Sequence, residues 1–96
     1  MKLIYTSQAK EDIELAFVWY ERQRRGLGFD FLDCMESSVH LILETPDLYK
    51  FIELDNHLKF QVCIIRRFPF SIFYTVEGKK IIIHSVFDNR QNPDKY

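Results

Sequence analysis

The chain has little excess charge. Thirteen Lys and Arg face fourteen Asp and Glu among 96 residues, for a net charge of −1, whereas binding to a phosphate backbone is dominated by the number of cations offered. Bulk electrostatic attachment to nucleic acid is excluded, and any such contact needs a local basic cluster. Cysteine is scarce too. Cys34 and Cys63 are the only two, with no second pair for a disulfide framework and no metal-ligand spacing to His40, His57 or His84. No metal and no cofactor is expected, and a reducing compartment fits. No apolar run approaches the roughly 20 residues of a membrane span, and Met1-Lys2-Leu3-Ile4-Tyr5-Thr6 lacks the long apolar stretch of a signal peptide. A soluble, cytoplasmic protein without a membrane partner is the expectation. No internal repeat, low-complexity segment or interdomain linker breaks the chain.

Large apolar side chains are what the sequence does have. Hydrophobic residues make up 47% and aromatics 16%, with nine Phe, five Tyr and one Trp. That suffices for one core in a single domain spanning 1–96. A domain this small buries a modest share of its surface, so a bound partner would raise its stability appreciably.

Leu3-Ile4-Tyr5 reads as a short strand ending at Thr6-Ser7, with Ser7 placed to cap a helix whose first turn carries Glu11 and Asp12. Ala9, Ile13, Ala16, Phe17 and Tyr20 recur at the spacing of one buried helical face. Arg22, Arg24 and Arg25 then suit the negative helix end, and Gly26 suits a left-handed residue after it. This charge run reads as a helix-end feature. Past Gly26-Leu27-Gly28, the positions Phe29, Leu32, Met35, Val39, Ile42 and Leu43 predict a second helix over 29–44, stopped by Thr45-Pro46. The short connection predicts an antiparallel hairpin.

Residues 47–57 show no sustained period and read as a loop. From Leu58 the period becomes two, with Leu58, Phe60, Val62 and Ile64 set against Lys59, Gln61 and Cys63, a half-buried strand. Arg66-Arg67-Phe68-Pro69 interrupts it. Strand character resumes over Phe70 to Val76, and Glu77-Gly78-Lys79 supplies a turn before Ile81-Ile82-Ile83-His84-Ser85-Val86-Phe87. The expected fold class is α+β: an N-terminal strand, a two-helix hairpin, then a three-stranded antiparallel meander, with the helices on one face of a curved sheet.

Ala9, Asp12 and Ile13, Trp19-Tyr20-Glu21, Gly26-Leu27-Gly28 with Phe31-Leu32, Pro46, Arg67-Phe68-Pro69-Phe70 with Ile72 and Tyr74, and Val86-Phe87 with Arg90 and Pro93 form an ordered set over nearly the whole chain. This set resembles the ParE-like branch of the RelE/ParE toxin superfamily, the toxins of type II toxin–antitoxin (plasmid stabilisation) systems. The resemblance implies neutralisation by a small antitoxin encoded by an adjacent gene, with a flexible segment that folds on the toxin, in a toxin–antitoxin hetero-oligomer. It further implies growth arrest by binding and inhibiting DNA gyrase. The alternatives are a RelE-like ribosome-dependent mRNA endoribonuclease and a non-toxic binding module that kept the fold. Many ParE-like sequences carry His where this chain has Asp88, and two basic residues where it has Asn89-Arg90. An ionised Asp there would repel phosphate.

Arg66, Arg67 and Arg90 lie at strand ends, where neighbouring strands could gather guanidinium groups to contact a target. The plainer reading is a solvated strand edge. For a nuclease the available groups are Arg67, Arg90, His84 and Tyr96, although a His inside a strand is more often structural. Trp19 and Tyr20 are neighbours that point to different faces. An exposed Trp19 would anchor antitoxin or toxin dimerisation.

Overall fold

The computed structural model describes residues 1–53, 59–65 and 67–90; Leu58, Arg66, Pro93 and Tyr96 lie outside these. Element order is β1 (Lys2–Tyr5), α1 (Ser7–Gln23), α2 (Leu27–Glu44), β2 (Phe51–Glu53), β3 (Lys59–Ile65), β4 (Phe70–Glu77) and β5 (Lys80–Asp88). No helix among the described residues is long and apolar enough to cross a membrane.

The first helix begins one residue earlier than its sequence signal suggests. Thr6, not Ser7, is the N-cap: its Oγ1 accepts the Ala9 N–H at 3.1 Å and its hydroxyl donates to the His84 carbonyl at 2.8 Å. A residue bonded to both α1 and β5 satisfies more backbone than Ser7 could. α1 ends at Gln23, with the Arg24 N–H returning to the Tyr20 carbonyl at 3.1 Å. Gly26 then takes φ +90°, a backbone region open to glycine.

α2 starts at Leu27 rather than 29, because Gly26 serves as its N-cap and the Glu21 carboxylate of α1 accepts the Gly28 N–H at 2.8 Å. Only Gly26 makes the turn between the helices. Gly28 instead lets them touch: a Cβ there would lie 2.7 Å from the Phe17 carbonyl oxygen and 2.7 Å from Glu21 Cγ.

The strands form one five-stranded sheet in the order β1-β5-β4-β3-β2. The expected meander β3-β4-β5 is present and antiparallel, but the sheet is mixed. β1 pairs parallel to β5, Leu3 beside Ile81 and Tyr5 beside Ile83, and β2 adds a fifth strand within the stretch expected to be a loop. The Ile81-Ile82-Ile83 run explains β1, because a strand this apolar is favoured between two neighbours. β2 is three residues long, too short to show a period.

The inward face of β3 is the reverse of the expectation. Gln61, Cys63 and Ile65 are buried against the helices, while Ile64 is 65% exposed. Gln61 can be buried because its amide donates to the Pro46 carbonyl at 2.6 Å and the Tyr49 carbonyl at 3.1 Å, so no donor is stranded. The Tyr74 hydroxyl donates to the same Pro46 oxygen at 2.8 Å. The Pro46–Tyr49 corner is thus held by the sheet below it.

Between helices and sheet, Ile42, Ile72, Tyr74, Ile81 and Ile83 are fully buried. One end of the core is aromatic. Tyr20 stacks on Phe31 at 5.5 Å between centroids and meets Phe68 edge-on at 4.8 Å, and Phe70 lies 5.1 Å from Phe31. Such ring pairs add about 0.5–1.5 kcal/mol each beyond their burial.

Replacing Gly28 by Ala should force α1 and α2 apart. A loss of about 1–3 kcal/mol is expected in urea unfolding of G28A, and unchanged stability would show that the helices tolerate a wider spacing.

Candidate functional site

β1 flanks only Lys80–Ile83 of β5. Beyond it, the outward backbone groups of β5 must find partners elsewhere, and α1 with its cap supplies them. The Thr6 N–H donates to the Ile83 carbonyl at 3.0 Å and the Thr6 hydroxyl to the His84 carbonyl. Next along, the Val86 N–H donates to Asp12 Oδ2 at 3.0 Å, and Gln8 Nε2 holds the other Asp12 oxygen at 2.7 Å. At the end of this row α1 and β5 part, leaving a groove of about 530 Å³ whose lining includes Leu15, Trp19, Arg22, Asp88 and Arg90.

Arg90 crosses that groove. Asp88 Oδ1 accepts its backbone N–H at 2.9 Å and its Nε–H at 3.2 Å, and Asp88 Oδ2 accepts a terminal N–H at 3.2 Å. The guanidinium carbon lies 4.9 Å from the centre of the Trp19 ring and 5.9 Å from that of Tyr20. A terminal nitrogen reaches the Tyr20 hydroxyl at 3.4 Å. The Asp88 side chain is only 15% exposed, and its hydrogen bonds raise the Arg90 pKa further above the ordinary guanidinium value. Burial raises that of the Tyr20 hydroxyl, with Arg90 opposing and Asp88 adding to the shift. The result is a permanently charged, rigidly oriented planar cation beside an exposed indole.

Trp19 and Tyr20 differ in burial although their rings meet edge-on, 5.1 Å between centroids. Trp19 is 46% exposed, whereas Tyr20 is buried in the aromatic core and offers the groove its hydroxyl rather than its ring. Of the two candidates for partner contact, Trp19 is thus the exposed one.

Arg67 stands near the same end of the sheet, since its guanidinium carbon lies 5.4 Å from the Phe68 ring and Phe68 touches Tyr20. It shares a carboxylate with Arg24: Asp30 Oδ2 accepts from Arg67 at 3.2 Å and lies 3.8 Å from Arg24. The expected pooling of guanidinium groups into an anion site is therefore corrected. Arg90 is held by Asp88 at the end of β5, and Arg67 with Arg24 by Asp30 in the first turn of α2, so each of the two expected arginines faces an acid. Arg66 lies outside the described residues.

His84 faces away from both arginines. The β4–β5 register shifts between Phe73, opposite Ser85, and Tyr74, opposite Ile83, leaving His84 in a bulge. Its Nε2 sits 2.7 Å from Thr75 Oγ1 and its ring 5.1 Å from Phe60, on the sheet face opposite the helices. Burial lowers its pKa below the ordinary imidazole value, with Glu77 opposing. Tyr96 lies outside the described residues. Among the described residues no group of three or more His, Cys, Asp or Glu is placed to hold a metal ion.

Asp12 and Asp88 are the site residues to which sequence reading gave other roles. Asp12 looked like a helix-dipole residue and Asp88 like a departure that repels phosphate; one ties the helix to the strand and the other aims Arg90.

The family described as ParE toxin of the type II toxin–antitoxin system parDE matches residues 3–93, a span that includes both walls of the groove. The chain belongs to the ParE toxin family. A solved chain titled "Chromosomal ParDE TA system from P. aeruginosa" shares this fold, with a TM-score of 0.77 and 19% identity, covering 92% of this chain and 95% of that one. No curated protein is similar enough in sequence to match. In this ParE-family chain the position after the last strand's apolar run is an arginine-orienting aspartate.

Because the folded His84 resists protonation, its contribution to stability is complete above the unfolded imidazole pKa of about 6.5 and is lost as the pH falls below it. The urea midpoint should therefore drop on acidification through that window, and His84→Gln should remove this part of the drop. A His84 ring titrating by NMR at or above the ordinary value would contradict this.

Proposed function

We propose that this ParE-family toxin acts by binding DNA gyrase in the cytoplasm through the Trp19–Arg90 groove, as one toxin domain, so that replication and growth stop. A small antitoxin encoded by an adjacent gene neutralises it, in a toxin–antitoxin hetero-oligomer.

One observation carries this reading over RNA cleavage. Acid–base chemistry on a phosphodiester needs its groups within roughly 3 Å of shared reacting atoms. Here His84 is engaged with Thr75 on one face of the sheet while Arg90 and Arg67 lie at the end of the other, each on a carboxylate. What the groove offers instead is recognition chemistry. Trp and Arg, here half-exposed and side by side, are among the residue types most enriched where protein interfaces draw their binding energy.

The test is gyrase supercoiling with the purified chain. Inhibition is expected, with Trp19→Ala and Arg90→Ala each raising the half-inhibitory concentration by about tenfold or more, and with His84→Gln without effect. Supercoiling unchanged at high toxin excess would count against the proposal. So would induction in cells that cuts transcripts and halts protein synthesis before DNA synthesis, and growth that continues would favour a non-toxic binding module.

A further inference from the structure

α1 leaves a stripe of apolar side chains to solvent, with Leu15 61%, Val18 38% and Trp19 46% exposed. At 3.6 residues per turn they share one face with Glu11, a turn before Leu15, and Arg22, a turn after Val18. Glu11 and Arg22 are exposed, and among the described residues neither has an ion-pair partner on its own chain. The stripe thus carries an acid at its N-terminal end, apolar residues in the middle and a base at its C-terminal end. Its pattern is antisymmetric: Glu11 and Arg22 are equally distant from the midpoint between residues 16 and 17, and so are Leu15 and Val18.

We propose that this stripe is a self-pairing surface on which a second copy of the chain lays its own α1, antiparallel about a two-fold axis through that midpoint. A two-fold interface uses the same patch twice, so the patch must complement its own reverse. Here it does. Glu11 of each copy meets Arg22 of the other at both ends, Leu15 meets Val18 at the centre, and antiparallel helix dipoles favour the arrangement. A foreign partner requires no such symmetry, which is why a second copy is the occupant that fits. Three apolar side chains and two exposed ion pairs fall well short of the roughly 800 Å² per partner of a stable complex. The pairing is therefore weak and depends on concentration.

Leu15, Val18, Trp19 and Arg22 also line the groove that holds Arg90, so a second copy covers its mouth. If the groove is the target site, as proposed above, pairing and target binding exclude each other. The pairing itself does not depend on that reading.

Sedimentation equilibrium of the isolated full chain should show a mass that rises from monomer toward dimer between micromolar and millimolar concentration, less so at high salt. Glu11→Arg and Arg22→Glu each place like charges opposite one another at both ends, and each should weaken self-association by about tenfold at low salt. An equimolar mixture of the two variants should recover it, because every reversed position then faces its opposite. A misfolded variant would not be rescued by another in this way. The proposal is overturned if the wild-type chain is monomeric throughout, if the single reversals associate as well as the wild type, or if the mixture stays monomeric. A monomeric chain whose reversals weaken antitoxin binding would assign the stripe to the antitoxin. Gyrase inhibition measured on the same samples separates a failure of the pairing from a failure of the target assignment.

Discussion

The outer edge of β5 is the constraint from which the site follows. A four-residue β1 covers Lys80–Ile83, and β5 runs on to Asp88, so the strand leaves the protection of its neighbour while still between sheet and helix. Buried donors and acceptors left unpaired would cost about 1–3 kcal/mol each. The fold meets this with a helix and its cap instead of a further strand: the Thr6 N–H and hydroxyl, then the Asp12 carboxylate. Those bonds fix the distance between α1 and β5. Where they end, the two elements separate, and the groove with Arg90 and Trp19 begins there.

The elements that were legible in the sequence are those whose signal is local and repeated. The apolar spacing of Ala9 to Tyr20 and of Phe29 to Leu43 gives both helices, although Phe29 is 58% exposed and Phe31 takes the buried place, and Gly78 gives the β4–β5 hairpin. What was hidden depends on partners far along the chain. β1 is paired with residues almost eighty positions away. β3 has apolar residues on both faces, so its orientation turns on Gln61, whose burial becomes acceptable only once the carbonyls of Pro46 and Tyr49 are known to lie against it. The periodicity alone favours the wrong face.

The site was legible to a similar degree. Arg67, Arg90, Trp19 and Tyr20 stand out by type, and all four lie at one end of the sheet. Their meaning changes with the carboxylates beside them. A reading that counts guanidinium groups near strand ends expects a cationic patch; Asp88 and Arg90 form a neutral, directional pair, and Asp30 is shared by Arg67 and Arg24. Nothing in the local sequence says that Asp88, two residues before Arg90, curls back onto it. The same adjacency in a continuing strand would hold the two side chains apart along one face.

Compensation and exposure together decide what such a surface can bind. A free arginine cluster attracts phosphate of any kind, with an affinity that salt erodes. A guanidinium already satisfied by a carboxylate gains little from an anion, since a new ligand would have to compete with Asp88 at 3.2 Å or less. It still presents a flat, weakly hydrated face over Trp19, and such a face prefers apolar and aromatic matter. Around it Leu15 and Val18 remain exposed, and at this chain length they represent burial the fold could not achieve alone. Any partner that covers them binds only the folded chain, so its concentration sets how much of the toxin stays folded. For the self-pairing proposed above, closing the mouth of the groove and stabilising the fold are then the same contact, and dilution undoes both together.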